Sequence, residues 1–375
     1  MSRVRNGLPG SVEEMPVSQS EESGPEALPA FAVVPGAQVN AVLQGREKHV
    51  IDVVEAAYRL HGAGSTVNPP SYFLRFPDRP DARIIALPAS LGGESPVDGL
   101  KWISSFPGNI TSGLPRASAV LILNDPATGY PFACLESSVI SAARTAGSAA
   151  LAAQVLGRER GTRPRRAGFV GTGLIARFVH TYLAAAGFEF DEIGLHDLDA
   201  GHAGRFEGYL QESGHGGRTV VHSRAEDLIR SSDLVVFATV AGEPHVSDPA
   251  WFEHAPLVLN LSLRDLSPEV VLSAVNVVDD VEHCLKANTS VHLTEQFTGN
   301  RDFLAGTLYD VLTGKLRPES GSPLVFSPFG LGVLDLAVGS YVYDEIARAG
   351  ELHAVHGFFD ELDRYGKSRA AARRP

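Results

Sequence analysis

The sequence predicts an α/β protein in which a doubly wound parallel sheet is inserted into a second domain of mixed α/β structure. Between residues 166 and 280, short apolar runs rich in β-branched residues alternate with polar helical segments, which is typical of a parallel sheet buried on both faces. Strand-like pieces between residues 72 and 135 are separated by Gly/Pro turns, which favours a mixed sheet. A last apolar helix, Gly332 to Ala349, has no place in a doubly wound sheet and should return to the first domain.

A glycine-rich turn opens the predicted parallel sheet, in the stretch Ala167-Gly-Phe-Val-Gly-Thr-Gly-Leu-Ile-Ala176. Gly171 and Gly173 would let a pyrophosphate approach the bare backbone, and Ala176 would let the following helix pack against the strand. The free N–H groups of the helix N-terminus favour phosphate. Strand, turn and helix in this order predict a Rossmann-type dinucleotide-binding domain. The residues expected to contact the cofactor from this turn are Gly171, Thr172, Gly173, Leu174 and Ile175.

An acidic residue ends the next apolar run, Glu192-Ile-Gly-Leu-His-Asp197. A carboxylate at Asp197 would accept hydrogen bonds from both ribose hydroxyls and repel a 2′-phosphate, so the predicted cofactor is NAD rather than NADP. Thr239 and Val240 follow the fourth predicted strand, at the carboxyl edge where open α/β sheets bind ligands. We expect this loop to contact the cofactor as well.

The composition argues against several classes of partner. The formal net charge of −12 disfavours binding to a nucleic-acid backbone, which needs a basic face. The two cysteines, Cys134 and Cys284, have no paired metal-type spacing, so we expect neither a disulfide nor a bound metal, and a reducing cytoplasm is the predicted location. No apolar run approaches the ~20 residues that would span a membrane, and the amino terminus lacks the hydrophobic region of a signal peptide.

The same patterns predict the domain boundaries. Residues 1–30 and 367–375 are expected to be disordered tails, because they lack periodic apolar residues. Residues 31–155 and 322–366 would form a substrate-binding and dimerisation domain, and residues 156–321 the nucleotide-binding domain. In the first domain, Val50 to Leu60 is predicted to be the first amphipathic helix, and a small-residue helix from Ser137 to Leu156 leads to the nucleotide domain.

Four strings outside the nucleotide domain resemble a known protein family. They are Gly99-Leu-Lys-Trp-Ile-Ser-Ser-Phe-Pro-Gly-Asn109, Pro115-Arg-Ala-Ser-Ala-Val-Leu-Ile-Leu-Asn-Asp125, Gly129-Tyr-Pro-Phe-Ala-Cys-Leu-Glu136 and Ile140-Ser-Ala-Ala-Arg-Thr-Ala146. They closely resemble the ornithine cyclodeaminase and μ-crystallin family, and the resemblance extends over roughly residues 31 to 365. The first and third strings are similar to a branch that uses NAD to convert N-(2-amino-2-carboxyethyl)-L-glutamate into L-2,3-diaminopropionate, 2-oxoglutarate and NADH for siderophore or peptide-antibiotic pathways. The resemblance also implies a homodimer.

The resemblance implies specific roles for four residues. Lys101 matches the family's substrate-contacting lysine, and Arg144 matches its carboxylate-binding arginine. Arg75 would be a further substrate arginine, and Asp265, after the fifth nucleotide-domain strand, matches the essential aspartate. Guanidinium groups suit such a substrate because they hold carboxylates bidentately. Asp265 would act as general base for water, or Lys101, with a pKa lowered by neighbouring cations, would exchange a proton with the amine; the sequence leaves this division open.

Two other functions remain open within the family. An ornithine cyclodeaminase would form proline and ammonia, but the chain has Leu263-Arg264-Asp265 where those enzymes carry Gly-Ala-Asp, which puts cyclisation in doubt. A non-catalytic, μ-crystallin-like binding protein is the other alternative. The presence of Lys101, Arg144 and Asp265 together argues against it.

Each candidate residue also has a structural interpretation. Lys101 and Arg75 would each be solvated surface charges if taken alone, and Asp265 would cap a helix that begins at residue 267 or 268. His283 and Cys284 lack a second ligand at suitable spacing, so a non-catalytic role is expected for both.

Overall fold

The computed structural model describes residues 30–161, 163–319 and 321–359. The predicted tails, apart from residue 30, lie outside these ranges. The helices are α1 (Gly36–Leu43), α2 (Glu47–Gly62), α3 (Ser138–Arg160), α4 (Leu174–Ala185), α5 (Ala200–Glu212), α6 (Ala225–Ser231), α7 (Pro268–Leu272), α8 (Val281–Cys284), α9 (Ser290–Thr298), α10 (Leu308–Leu312) and α11 (Gly332–Arg348). Short 3-10 helices lie at Pro107–Ser112 and Pro249–Phe252.

The strands form two sheets that follow each other along the chain. The first group is β1 (Phe31–Val34), β2 (Thr66–Val67), β3 (Tyr72–Phe76), β4 (Arg79–Leu91), β5 (Val97–Ser105), β6 (Ala117–Asn124) and β7 (Pro131–Glu136). The second group is β8 (Arg166–Val170), β9 (Glu192–His196), β10 (Arg218–Val221), β11 (Leu234–Phe237), β12 (Leu257–Asn260), β13 (Val275–Val278), β14 (Leu304–Thr307) and β15 (Leu324–Ser327). The last strand, β16 (His353–Val355), returns to the first sheet.

The first sheet is mixed, as the sequence predicts. Its order is β16-β1-β7-β6-β5-β4-β2, with β3 paired to β4. β1 and β7 are parallel, and the other pairs are antiparallel. The pattern did not reveal β5, because a glycine and a lysine interrupt its apolar residues. Gly99 is required there, since a Cβ atom at this position would lie 2.2 Å from the carbonyl oxygen of Ile122.

The second sheet is entirely parallel and has the order β10-β9-β8-β11-β12-β15-β13-β14. Its first five strands follow the doubly wound pattern of a Rossmann-type domain. The sequence predicted six strands, and the structure adds β14 and β15. β15, which follows the predicted boundary at residue 322, pairs with β12 and β13 of the second sheet. The division into two domains stays a prediction.

Three helices refine the sequence expectations. α11 packs on α2 and on β4, β5 and β6, which confirms that the last apolar helix returns to the first sheet. The chain forms α1 before the predicted first amphipathic helix. α3 has 23 residues and an 18-residue window of mean hydropathy 1.2, so the expectation that no segment is long and apolar enough to cross a membrane is wrong. Since 78% of that window is buried inside the protein, α3 has the burial that is typical of a core helix.

Candidate active site

The glycine-rich turn after β8 has the geometry that a dinucleotide phosphate requires. Gly171 has φ +85°, and a Cβ atom there would lie 2.7 Å from the carbonyl oxygen of Ala238, so only glycine fits. A Cβ atom at Gly173 would meet nothing within 4 Å, which leaves open space in front of the N-terminus of α4. Ala176 is fully buried, as close packing of this helix on the sheet requires. The turn therefore fits a bound pyrophosphate.

Asp197 lies beside this turn, directly after β9. Its Oδ2 atom accepts hydrogen bonds from the Thr172 N–H at 2.8 Å and from the Thr172 hydroxyl at 2.9 Å. Burial opposes ionisation, but the N–H groups of Asp199 and Thr172 and the Thr172 hydroxyl together hold the pKa of Asp197 below its usual value. The carboxylate beside the turn is therefore held in its ionised form.

The other predicted cofactor residues lie at the same edge of the second sheet. The side chains of Leu174 and Val240 are 55% and 75% exposed, and Ile175 is half-buried. Thr239 follows β11, and its hydroxyl accepts a hydrogen bond from the Ala241 N–H at 3.1 Å. The Thr239 hydroxyl also donates to Asp265, so the predicted cofactor loop is joined to the predicted catalytic aspartate.

Asp265 follows β12 and is fully buried. Its Oδ1 atom lies 2.5 Å from the Thr239 hydroxyl and 3.0 Å from Nε2 of His245, and its Oδ2 atom accepts from the Ser262 hydroxyl. The alternative that Asp265 caps a helix is therefore wrong: α7 begins after Ser267, and the Asp265 carboxylate binds elsewhere. His245, whose side chain is 39% exposed, is a candidate site residue that the sequence reasoning missed.

Lys101 and Arg144 meet at a carboxylate that the sequence reasoning also missed. Asp335, on α11, is fully buried; its Oδ2 atom lies 2.6 Å from Lys101 Nζ and its Oδ1 atom 3.1 Å from Arg144 Nε. Ser141 Oγ accepts a further hydrogen bond from Lys101 Nζ at 3.3 Å. Lys101 is 2% exposed, so its interpretation as a solvated surface charge is wrong. An acid within the apolar start of α11 was the available sequence signal.

The electrostatic environment of Lys101 suits proton exchange near neutral pH. Burial and the neighbouring Arg144 guanidinium lower the pKa of Lys101 to about 8, against the opposing effect of Asp335. An amine in this range can both accept and return a proton. Arg144 is thus the neighbouring cation that the sequence interpretation required, although burial has the larger effect on the pKa of Lys101.

The lysine–arginine–aspartate cluster lies against the carboxyl edge of the second sheet. Gly330, which follows β15, has φ +93°, and a Cβ atom there would lie 2.4 Å from an Arg144 guanidinium nitrogen. Asp279, which follows β13, accepts the Gly330 N–H at 2.7 Å and the Phe329 N–H at 3.0 Å. Arg144 thus packs directly on the backbone that follows β15, a strand of the second sheet.

Arg75 lies apart from this cluster. It is exposed on β3, where its guanidinium lies 5.1 Å from the centre of the Phe73 ring, and it faces Arg83 across the β3–β4 pair. The structure therefore brings together Lys101 with Arg144, and Thr239 with Asp265, but it places Arg75 among other arginines.

His283 and Cys284 take part in packing between elements. His283 binds the Asp280 carboxylate at 2.9 Å and Asn68 at 2.9 Å, and the Cys284 thiol donates to Asp279 at 3.0 Å. Burial and the Asp279 carboxylate raise the pKa of the Cys284 thiol well above its usual value, which opposes a nucleophilic role.

Comparisons with known proteins agree with this architecture. The sequence model described as the ornithine cyclodeaminase/mu-crystallin family matches residues 37–350. The chain is 27% identical to N-((2S)-2-amino-2-carboxyethyl)-L-glutamate dehydrogenase of Staphylococcus aureus, over 79% of this chain and 89% of that protein. It is 31% identical to alanine dehydrogenase of Archaeoglobus fulgidus, over 78% and 89% of the two chains.

A solved structure of an archaeal alanine dehydrogenase dimer with bound NAD superimposes with a TM-score of 0.78 at 26% identity, covering 88% of this chain and 100% of that one. The predicted α/β fold class and the predicted family resemblance are therefore confirmed. The expectation of an NAD-dependent amino-acid dehydrogenase is confirmed at the level of the family.

Proposed function

The chain belongs to the ornithine cyclodeaminase/mu-crystallin family, and on that premise we propose that it oxidises N-(2-amino-2-carboxyethyl)-L-glutamate with NAD and releases L-2,3-diaminopropionate, 2-oxoglutarate and NADH. The product would serve siderophore or peptide-antibiotic biosynthesis, and the enzyme would act in the cytoplasm. The similarity to the Staphylococcus aureus glutamate-conjugate dehydrogenase supports this substrate.

One structural observation favours this substrate over ornithine. Arg264 is half-buried directly before Asp265, where ornithine cyclodeaminases carry a small residue. A guanidinium beside the predicted catalytic aspartate attracts a substrate that carries several carboxylates. It repels the terminal ammonium group of ornithine, and such repulsion is an effective source of specificity.

The predicted roles divide between the two halves of the site. The glycine-rich turn at Gly171 and Gly173 would hold NAD, which would supply the acceptor for the hydride of the glutamate α-carbon. Arg144 would hold the adjacent α-carboxylate, since it contacts Asp335 through Nε and its terminal nitrogen atoms are further donors. Lys101 in its neutral form would take the proton of the secondary amine, so that a carbon–nitrogen double bond can form when the hydride leaves.

Hydrolysis would complete the reaction at the other half of the site. His245, held by Asp265, would remove a proton from water as its oxygen attacks the imine carbon. Return of that proton to the nitrogen, followed by loss of the hydroxyl proton to the same imidazole, would allow the carbon–nitrogen bond to break, giving 2-oxoglutarate and the free amine of diaminopropionate. Because external water would complete the hydrolysis, the reaction would yield one NADH for each 2-oxoglutarate.

We also infer a homodimer. The outer face of the first sheet carries a row of partly exposed side chains that are register partners across neighbouring strands: Tyr72, Ala86, Trp102 and Val120. Tyr72 is 72% exposed and Trp102 is 41% exposed, and the archaeal relative is a dimer. Replacing Trp102 with Glu should convert a dimer into monomers in light scattering if this face is the interface.

The decisive experiment supplies the purified full chain with NAD and the synthetic conjugate, and measures NADH absorbance together with product masses. The expected result is equimolar NADH, 2-oxoglutarate and diaminopropionate. The identity of 31% to an alanine dehydrogenase supports oxidation of alanine as a second candidate, so alanine is assayed in parallel. Proline and ammonia from ornithine, without net NADH and with the conjugate untouched, would overturn the proposal.

A further inference from the structure

Three arginine side chains meet at one level of the first sheet. Arg75 and Arg83 are direct register partners on β3 and β4, and Arg83 is in turn the partner of Ser105 on β5. Register partners project to the same face of a sheet. The Arg116 guanidinium reaches this level from the start of β6, because it donates a hydrogen bond of 2.7 Å to the Ser105 hydroxyl.

A fourth arginine, Arg264, precedes Asp265 in a loop of the second sheet and lies within range of the charges of Arg83 and Arg75. Arg264 is fixed by Nε and Nη2, which donate to the Ala287 carbonyl oxygen at 3.2 and 2.7 Å. Burial, followed by the charges of Arg83 and Arg75, lowers the pKa of Arg264. The charges of Arg83 and Arg75 thus act on Arg264, and we define the arginine cluster as Arg75, Arg83, Arg116 and Arg264.

The charges of the arginine cluster are compensated only in part, by the Asp265 carboxylate that acts on Arg264. Across residues 30–161, 163–319 and 321–359, none of the four side chains forms an ion pair with an Asp or Glu side chain. Other arginines in these ranges do so, such as Arg166 with Asp233. Burial and the neighbouring guanidinium of Arg75 lower the pKa of Arg83. Gathering like charges in partly buried positions is unfavourable, in a protein of net charge −12, unless an anion binds between them.

Arg83 of the arginine cluster and Lys101 lie on the same face of the first sheet, at two levels along β5. Lys101 and Ser105 are four residues apart on β5, so they project to the same face and lie about 13 Å apart along the strand. The long side chains at the two levels can approach a ligand that lies between them. A ligand with carboxylates at both ends could bind the side chains at the level of Lys101 with one end and the arginine cluster with the other.

We propose that the arginine cluster is a second carboxylate-binding subsite, which receives the carboxylates of the substrate farthest from Lys101 and selects amino acids with several carboxylates. This inference rests on the proposed function for the identity of the substrate. The subsite excludes substrates that end in an ammonium group, and it discriminates against amino acids with a single carboxylate because their apolar ends leave the guanidinium groups unpaired.

The test compares Arg83→Gln and Arg83→Lys with Arg79→Gln. Arg79 lies on the same hairpin but stacks on Phe76, 4.1 Å from the ring centre, and is outside the cluster. The expected result for Arg83→Gln is a KM for the conjugate raised roughly 10- to 100-fold, as for a lost hydrogen bond to a charged group, with the NAD affinity unchanged. Arg83→Lys should recover part of the loss, and Arg79→Gln should match the wild type.

Substrate preference provides a second measurement, which would not change if Arg83 had only a structural role. The wild type should prefer the conjugate over an analogue in which 2-aminobutyrate replaces glutamate, and Arg83→Gln should reduce this ratio of kcat/KM. A folded Arg83→Gln variant with unchanged KM and unchanged preference would overturn the subsite while leaving the proposed function intact.

Direct binding separates the two proposals. If the wild type does not oxidise the conjugate, the proposed function fails, and calorimetry with propane-1,2,3-tricarboxylate and with butyrate tests the cluster by itself. Tighter binding of the tricarboxylate, lost in Arg83→Gln and retained in Arg79→Gln, supports the subsite. Equal binding of both acids by the wild type overturns it.

Discussion

Nε2 of His245 lies 3.0 Å from Oδ1 of Asp265, and the two side chains differ sharply in exposure. The Asp265 side chain is fully buried, whereas the His245 side chain is 39% exposed. Both oxygens of Asp265 already accept hydrogen bonds: Oδ1 accepts from the Thr239 hydroxyl, and Oδ2 accepts from the Ser262 hydroxyl. The accessible part of this pair is therefore the imidazole, which the carboxylate orients.

The first prediction concerns this pair. Asp265→Asn should leave NAD binding intact and lower the release of 2-oxoglutarate by at least ~10²-fold, because the base His245 loses the carboxylate that orients it. His245→Gln should cause a similar fall, because an amide keeps a hydrogen bond but exchanges no proton. Product analysis measures the rate, and fluorescence titration measures NAD binding.

His254→Gln is the matched control, since Nε2 of His254 binds the Ser232 carbonyl oxygen at 2.8 Å and not a carboxylate of the site. Its product release should equal that of the wild type. A normal rate in His245→Gln together with a slow Asp265→Asn variant would assign the base to Asp265 alone.

A second prediction tests whether the Arg144 guanidinium binds a substrate carboxylate in a bidentate manner. Arg144→Lys keeps the positive charge but loses the bidentate geometry and the contact of Nε with Asp335. The KM for the conjugate should rise roughly 10- to 100-fold while the NAD affinity stays constant. Steady-state kinetics measure this, with Arg158→Lys, an exposed position on the same helix, as control. Normal turnover in a folded Arg144→Lys variant contradicts the assignment.

The third prediction is a pH dependence. If neutral Lys101 accepts the proton of the amine, kcat/KM should rise as the pH passes through about 8, because the neutral fraction grows there, and should level off above it. Asp335 raises the pKa of Lys101, so Asp335→Asn should move the midpoint to lower pH. The profile of initial rates against pH gives both midpoints.

Asp335→Asn leaves two buried cations without their carboxylate, which costs about 3–5 kcal/mol when a buried pair is broken. Lys101→Arg therefore serves as a second variant. Its guanidinium does not lose a proton in this range, so the limb near pH 8 should vanish. If kcat/KM of Lys101→Arg still rises near pH 8, the rise is due to the titration of a group other than Lys101.

The sequence predicted the local parts of the site and missed the parts that only the fold assembles. The glycine-rich turn and Asp197 lie within one strand–turn–helix–strand segment, so residue spacing is sufficient to find them. Asp335 lies 234 residues from Lys101, and no spacing relates the two. The same holds for Arg264 and Arg83, whose charges interact although the two residues lie far apart in the sequence. Lys101 was ambiguous for the same reason: its burial depends on α11, far along the chain.

A fourth prediction concerns the two glycines of the turn. A Cβ atom at Gly173 meets no protein atom within 4 Å, so Gly173→Ala should melt close to the wild type while binding NAD more weakly, because the methyl group enters the space of the pyrophosphate. Gly171→Ala should lower the melting temperature, since φ is +85° and the backbone at Ala238 is in contact. Calorimetric melting and NAD titration separate the two effects. Full NAD affinity in Gly173→Ala would place the phosphate elsewhere.

The last prediction concerns cofactor choice. Asp197→Ala should weaken NAD binding and narrow the preference for NAD over NADP, because the ribose hydrogen bonds and the repulsion of a 2′-phosphate disappear together. The change should also loosen the glycine-rich turn, since Asp197 accepts two hydrogen bonds from Thr172. Affinities for both cofactors, measured by fluorescence titration, give the preference.

Asp199→Ala distinguishes the ribose contact from a general effect of removing an acid at this edge. Asp199 caps α5 by accepting the Gly201 N–H at 2.7 Å, so its loss should lower the free energy of unfolding by about 1 kcal/mol. The cofactor preference of Asp199→Ala should stay that of the wild type, because its carboxylate is committed to the helix. The opposite pattern, with preference unchanged in Asp197→Ala and narrowed in Asp199→Ala, would make Asp199 the ribose ligand and limit Asp197 to holding the turn.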